Sequence, residues 1–240
     1  MKSKILLTVP TWNEALVIEK NLHTLHVACE KFFSAYDWLI EVVDNGSTDD
    51  TRIIVERMVK TLDRLVLRTL FMQGKGRAIQ SSWLAYRDVC DVFLFLDADL
   101  AADISVLPQM IAPILGQEAD LVCASRYALG ARVERSLIRS IFSRCYRLWQ
   151  KCVLHLPVQD AQCGLKAVSR AIVQQIVAEI QEQTWLFDSE LLWRAHRHKF
   201  VFKEIPVAWV EERTATRRSA LSVWRDGWEF VFGVWRIRSR

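Results

Sequence analysis

The chain has 240 residues, of which 51% are hydrophobic and 25% charged, with a formal net charge of +4. That composition suits a folded α/β protein with a large core and excludes a disordered chain; the modest charge gives no reason to expect a nucleic-acid partner. No uncharged apolar run approaches the ~18 to 20 residues needed to span a bilayer, and the N-terminus lacks a signal-peptide pattern, so a cytoplasmic protein is expected. Six Cys without a C-x-x-C pair point to reduced, mostly buried thiols.

In chain order, Lys4 to Val9 reads as a first strand broken by Pro10. Asn13 and Glu14 then open a helical pattern carried by Leu16, Ile18, Leu22 and Leu25. Trp38 to Val43 is a second strand running into VDNGSTDDT (43–51), where Ser47 or Thr48 can cap the helix that Ile53, Ile54 and Met58 suggest. Asp44 fits two roles, a turn-capping residue or a hydrogen-bond acceptor for a ligand lying across the strand ends. Leu65 to Phe71 is a third strand, followed by GKGRA (74–78). Its glycines and Lys75 could bring amides and an ammonium to a phosphate at a helix start, although the pattern is not a Walker loop.

The rest of the chain is organised around FLFLDADL (93–100). Four apolar residues read as a strand buried on both faces, and they lead into Asp97, Ala98 and Asp99. Two carboxylates one small residue apart at a strand end repel each other unless a cation lies between them. A hard ion such as Mg²⁺ or Mn²⁺ carrying a diphosphate meets that need. A helix at 104–114 and a strand from Asp120 to Ala124, ending at Ser125 and Arg126, complete a further unit. Strands alternating with helices predict a mainly parallel, doubly wound α/β sheet, Rossmann-like, with Asp44, Asp97, Asp99 and Arg126 converging on one edge.

Beyond Arg126, apolar residues from Leu137 to Cys152 recur at helical spacing with Arg135, Arg139, Arg144, Arg147 and Lys151 interleaved. Such a helix either packs on the sheet with a solvated basic face or lies at a membrane surface. DAQCGLKAVSR (160–170) reads as a turn and a short strand, Phe187 to His198 as a helix, and Phe200 to Trp209 as a last strand. The tail places Leu221, Trp224, Trp228, Phe232 and Trp235 on one helical stripe beside Arg225, Arg236, Arg238 and Arg240. A Trp/Arg stripe suits an interfacial anchor. The division expected is a domain at 1–212 and a basic amphipathic tail at 213–240, peripheral on the cytoplasmic face of a membrane.

VPTWNE (9–14), VDNGSTDDT (43–51), GKGRA (74–78), DAD (97–99), SR (125–126), DAQCGLKA (160–167), FDSELL (187–192) and EIPVAW (204–209) follow in an order that resembles the family-2 glycosyltransferases of GT-A fold. The branch they most resemble is the polyprenyl- or dolichyl-phosphate hexosyltransferases. The resemblance implies that Pro10, Asn13, Glu14 and Asp44 line the nucleotide pocket, that Lys75 lies near the nucleotide-sugar donor, and that Asp97 and Asp99 hold a divalent cation, Mg²⁺ or Mn²⁺. It implies that Arg126, with a second Arg on the next helix, binds the acceptor phosphate of a polyprenyl or dolichyl phosphate; spacing favours Arg144, with Arg139 the other candidate. Asp160 to Lys166 and Asp188 to Glu190 would shape the sugar and acceptor sides.

Two departures stand out. Mannose-transferring relatives often carry Gln, as a further metal ligand, where this chain has Ala101, so the ion would keep an extra water or recruit Asp103. Relatives carry Ser followed by a basic residue on the loop before the last helix, whereas Ser219 here precedes Ala220, and Arg217 or Arg218 would supply the charge. The similarity of DAQCGLKA and FDSELLWRA to the glucose branch favours UDP-glucose over GDP-mannose. A hydroxyl acceptor would instead need a general base, for which Asp188 or Glu190 are the candidates. A non-catalytic membrane-associated subunit is the reading of another class, and a membrane-embedded partner remains open.

Overall fold

The computed structural model describes residues 2–134, 137–210 and 232–240, with side chains described except at 133–134 and 137–145. A seven-stranded sheet is built from β1 (Lys4–Thr11), β2 (Asp37–Asp44), β3 (Leu65–Thr69), β4 (Val92–Leu96), β5 (Leu121–Ser125), β7 (Leu165–Ser169) and β8 (Phe202–Pro206). Their spatial order is β3-β2-β1-β4-β7-β5-β8. The alternating strand and helix pattern thus gives the expected α/β sheet, parallel except at β7, which runs antiparallel to both β4 and β5. The reversal has a local cause: the chain re-enters the sheet through residues 155–164 at the edge where β4 and β5 end, instead of through a crossover helix to the opposite edge. Leu165 therefore pairs with Leu96, and Gly164 meets the first residue beyond β4, its carbonyl accepting the Asp97 N–H at 3.0 Å.

All five residues of β4, VFLFL, are buried, as a central strand covered on both faces requires. One face carries α1 (Ile18–Phe32), α2 (Thr51–Val59) and α4 (Leu107–Leu115), whose Leu22, Leu25, Met58, Met110 and Ile111 pack with Leu94 and Leu96. The other face carries α3 (Lys75–Tyr86), α6 (Arg170–Gln175), α7 (Phe187–Arg197) and the end of α5 (Leu137–Leu154). Trp83 of α3 is fully buried there, its ring 6.1, 6.0 and 6.3 Å from those of Phe93, Phe95 and Phe187. Each such pair contributes ~0.5–1.5 kcal/mol beyond area burial. Together they clamp α3 and α7 to β4, which fixes the N-terminal ends of both helices beside Asp97.

Two elements depart from expectation. The single strand expected at Phe200–Trp209 is broken at Val207, whose N–H donates to the Ser125 carbonyl. Beyond it β9 (Ala208–Val210) leaves the main sheet and pairs with β6 (Arg132–Glu134), an element with no strand signal in the sequence. The second departure is at the C-terminus. Residues 232–238 are helical, with Val234 and Ile237 fully buried in the same core as α7.

Candidate active site

The C-terminal ends of β1 and β2 are tied into one knot. Asn13, in the left-handed region at φ 54°, a conformation Asn tolerates better than most residues, donates its N–H to Ser47 Oγ at 3.0 Å. Its side-chain oxygen accepts from the Thr48 N–H at 2.8 Å. Ser47 and Thr48 therefore hold the first loop instead of capping α2. Asp49, one residue before the N-cap Asp50, ties down the start of α2: it accepts from the Thr51 N–H and Oγ and from the Ala15 N–H. Burial alone would raise the Asp49 carboxyl, but these hydrogen bonds hold it below the ordinary value. Asp44 is buried and accepts from the Ser47 N–H at 3.2 Å, the turn-capping role. Pro10 is half-buried and in register with Val43; Glu14 is half-buried, its N–H donating to Thr51 Oγ1 at 2.8 Å.

The GKG turn works differently from a phosphate cradle. The N–H groups of Gly76 and Arg77 donate to the carbonyls of Thr184 and Gln183. A Cβ at Gly74 would collide with the Gln183 carbonyl and one at Gly76 with Phe187. The glycines let the first turn of α3 lie directly on 182–187, so Lys75 and Asp188, the second residue of α7, come side by side.

What results is a chain of alternating charge at the end of β4. The Lys75 ammonium lies 2.8 Å from Asp97 Oδ1 and 3.5 Å from Asp188 Oδ2. Asp188 Oδ1 in turn accepts from the Lys166 ammonium at 2.5 Å, and Lys166 also donates to the Cys163 carbonyl at 2.7 Å. Burial alone would lower the Lys75 ammonium, but Asp188 and Asp97 outweigh it and hold it above the ordinary range. Both ammoniums lie over the Phe95 ring, at 4.9 and 5.4 Å. Asp97 is one-third exposed and Asp188 and Lys166 are buried, so the chain leads from the core to an open carboxylate. Asp97 also packs on the bare Cα of Gly164, where a Cβ would overlap its carboxylate. Asp99 accepts from the Ala101 N–H at 3.1 Å. Carboxylate oxygens at a strand end, one of them already neutralised by a cation, are a donor set for a hard divalent ion. Asp103 accepts from the Ser105 N–H and Oγ and so caps the short helical turn that follows.

On the far side of β7, Arg126 is closed on Asp160. Its Nε and Nη2 donate to the two carboxylate oxygens at 2.7 and 2.8 Å and its backbone N–H adds a third bond at 3.0 Å. The guanidinium is 4.8 Å from the Trp209 ring. Burial pushes against both charges, but their mutual hydrogen bonds win, holding Asp160 below and Arg126 above their ordinary values. The fork expected to meet an acceptor phosphate is thus occupied by an internal carboxylate. Arg139 and Arg144 lie on α5, with side chains outside the described residues, and Ser219, Arg217 and Arg218 lie outside them altogether. Arg147, two turns beyond Arg139, places its guanidinium 4.4 Å over the ring of Tyr127, next to Arg126.

Glu190 is fully buried: it accepts from the N–H groups of Gln181 and Glu182 and from Arg194 and Arg240. Arg236 forks onto Glu182 at 2.9 Å, and Arg238 donates to the Val153 carbonyl. Three of the arginines expected to face lipid head groups are therefore turned onto the body. Phe232 and Trp235, from the Trp/Phe stripe, remain exposed, the latter with its ring edge on Trp149 of α5. Among the described residues no helix is long and apolar enough to cross a membrane.

Asp160, Lys166 and Asp188 find partners that no single motif names. A lone Lys inside the buried strand LKAVS, and Asp and Glu among the apolar residues of FDSELL, each demand an opposite charge once buried.

The family model for glycosyl transferase family 2 matches residues 7–177. The chain is 28% identical to glycosyltransferase AglD of Haloferax volcanii over 207 residues, 86% of this chain and 33% of that protein. It is 24% and 28% identical to the dolichyl-phosphate beta-glucosyltransferases of Dictyostelium discoideum and Saccharomyces cerevisiae, covering 96% and 85% of this chain and 76% and 66% of theirs. The chain thus spans between one third and three quarters of the length of these relatives. In fold it is similar to glucosyl-3-phosphoglycerate synthase of Mycobacterium tuberculosis in complex with UDP, with a TM-score of 0.72 at 19% identity over 99% of this chain and 80% of that one.

Proposed function

The chain belongs to glycosyl transferase family 2, and from that premise we propose that it moves a hexose from a nucleotide sugar to the phosphate of a polyprenyl or dolichyl phosphate, with inversion at the anomeric carbon. UDP-glucose is the donor this reading favours, because the curated relatives include several dolichyl-phosphate beta-glucosyltransferases.

One observation carries the choice of acceptor. A hydroxyl acceptor needs a carboxylate to take its proton, and both candidates are engaged: Asp188 is buried between Lys75 and Lys166, and Glu190 is buried under four donors. A phosphate monoester has its second pKa near ~6 and is largely a dianion at neutral pH. It attacks without a base, so the protein's task is to bring two anions together.

The residues divide that task. Asp97 and Asp99 would hold a divalent cation, Mg²⁺ or Mn²⁺, which supplies charge neutralisation to the departing diphosphate. Pro10, Asn13, Glu14 and Asp44 line the nucleotide side, on loops that the Asn13 to Ser47 and Thr48 bonds keep in register. Lys75 presents an ammonium to the donor from the first turn of α3. On the acceptor side Arg126, held by Asp160, positions the loop that carries Tyr127, while Arg139, Arg144 and Arg147 on α5 offset the incoming phosphate; Ser219 is assigned to the same side. An isoprenoid tail cannot enter a polar cleft, so the enzyme works peripherally at the cytoplasmic face of a membrane, with Phe232 and Trp235 at the surface.

The test is to incubate the full chain with UDP-glucose or GDP-mannose, Mn²⁺ or Mg²⁺, and polyprenyl phosphate, and to extract lipid-linked sugar. The expected product is polyprenyl phosphate glucose. Glycosylation of free sugars or peptides with none of the lipid phosphate would overturn the assignment.

A further inference from the structure

We propose that Lys75 is the resident counter-ion of Asp97, and that it yields this carboxylate to the divalent cation by moving onto Asp188 and the donor diphosphate. The inference rests on the cation-dependent reading above and adds to it a residue that competes for the site.

The geometry leaves little choice of approach. One flank of the Asp97 carboxylate is covered by Gly164, whose missing Cβ makes room for it; the other oxygen, Oδ1, is the one that Lys75 holds at 2.8 Å. A cation approaching Asp97 therefore meets the ammonium, and two positive groups cannot share that oxygen without repulsion.

The displaced ammonium has somewhere to go. Asp188 Oδ2 is already 3.5 Å away, and closing to an ordinary ion-pair distance of ~2.8 Å is a small rotation of a flexible stem. Asp188 can accept it because its other oxygen is held by Lys166, which is fixed by the Cys163 carbonyl. Only the side chain needs to move: the backbone at Lys75 is pinned by the Gly76 and Arg77 N–H bonds to 183 and 184. The Phe95 face, 4.9 Å below the ammonium, keeps it over the same spot in either position. Once off Asp97, Lys75 stands beside the place where the cation carries the diphosphate. The same residue would then suppress cation binding to the empty site and favour it when donor is present.

This makes a prediction of opposite signs. Mn²⁺ is titrated into the full chain by calorimetry or by loss of the free-ion EPR signal, first alone and then with UDP as the probe of the donor site. Lys75→Met is expected to bind Mn²⁺ alone about tenfold or more tightly than the unaltered chain, while its affinity for UDP in saturating Mn²⁺ falls about tenfold or more. Lys75→Gln, which keeps a polar head without the charge, should behave likewise. Asp188→Asn should weaken Mn²⁺ binding, because Lys75 loses its second partner. A merely structural Lys75 would leave Mn²⁺ affinity unchanged or lower it in Lys75→Met and Lys75→Gln, and either result, in proteins with unchanged far-UV spectra, overturns the exchange. If the unaltered chain binds no Mn²⁺ even with UDP present, or binds it there equally well as Asp97→Asn, the cation reading fails and the exchange with it. Binding that depends on Asp97 yet does not tighten in Lys75→Met sinks the exchange alone.

Discussion

The two flanks of β7 handle the same problem, a cation facing a carboxylate at a sheet edge, in opposite ways. At the donor flank Lys75 makes one close contact to Asp97 and has a second carboxylate in reach. At the acceptor flank Arg126 gives three N–H groups to Asp160 alone and stacks on Trp209. A lysine is a point charge on a flexible stem, whereas a guanidinium is a planar fork that matches one carboxylate. The first arrangement has a second carboxylate within reach, whereas the second commits its fork to one. On the proposed exchange the donor flank would change state during turnover, while the Arg126–Asp160 fork would keep a loop in place.

The sharpest way to break that contrast is at Asp97. Asp97→Asn removes the charge that both Lys75 and a divalent cation would share, while its amide still fits against Gly164. Transfer should fall on the order of 10³-fold, measured as lipid-linked glucose formed per enzyme with donor in excess, and the melting temperature should hardly change. Undiminished transfer, insensitive to chelator, would place the chemistry elsewhere.

Arg126→Met tests the other flank. Leaving Asp160 buried without its partner should destabilise the fold by roughly 3–5 kcal/mol, read from the urea midpoint. Arg147→Met, at the mouth, should instead raise the KM for lipid phosphate with little change in that midpoint. If Arg126→Met shifted KM and left stability alone, Arg126 would be an acceptor ligand and the contrast would fail. The pair also sets a pH dependence. The Asp160 carboxyl is held below its ordinary value of 3.8, so its contribution is fully present above that pH and is lost as pH falls through the lowered value. The urea midpoint of the unaltered protein should drop on acidification below about pH 4 more steeply than that of Asp160→Asn.

Gly164→Ala probes the seam between the flanks. A methyl group there would overlap the Asp97 carboxylate, and relieving it should cost ~1–3 kcal/mol of stability. Because relief must turn Asp97 away from its place, Mn²⁺ affinity should fall as well, measured in the same titration. Lost stability with intact Mn²⁺ binding would mean that Gly164 serves packing only.

How much of this was readable in advance follows the same division. At the donor flank the carboxylates stand at their own strand ends, so DAD after FLFL and the Asp44 turn could be placed from period and turn chemistry, whereas Asn13, expected to open a helix, lies in a left-handed turn ahead of α1, and the Lys75 to Asp188 contact had no local signal. The acceptor flank depends on partners far apart in sequence. Arg126 meets Asp160 34 residues on, and Arg236 meets Glu182 across 54; no local pattern announces such pairings. The antiparallel insertion of β7 was hidden for a related reason. LKAVS reads as a buried strand in either direction, and only its approach from the 155–164 loop sets its sense. The GKG turn misled in a physical way: glycines serve close approach of backbone to a phosphate or to another segment equally well, and here the segment is 182–187.

The smallest expected effect concerns the C-terminal segment, and it separates charge that faces the body from apolar surface that faces out. Arg236 is half-exposed and forks onto the buried Glu182, which keeps Arg240 at 3.2 Å as a second partner when Arg236 is removed. Arg236→Ala should thus lower the urea midpoint only slightly. Since its guanidinium already has a carboxylate, its loss should also leave pelleting with anionic liposomes unchanged. Trp235→Ala keeps the ion pair but removes an indole that is 52% exposed; it should reduce pelleting with neutral and anionic liposomes alike, because what it removes is apolar contact and not charge. A drop confined to Arg236→Ala and to anionic liposomes would reverse the assignment. It would mean that the ion pair opens at the membrane, and that this part of the acceptor side changes partners as the donor side does.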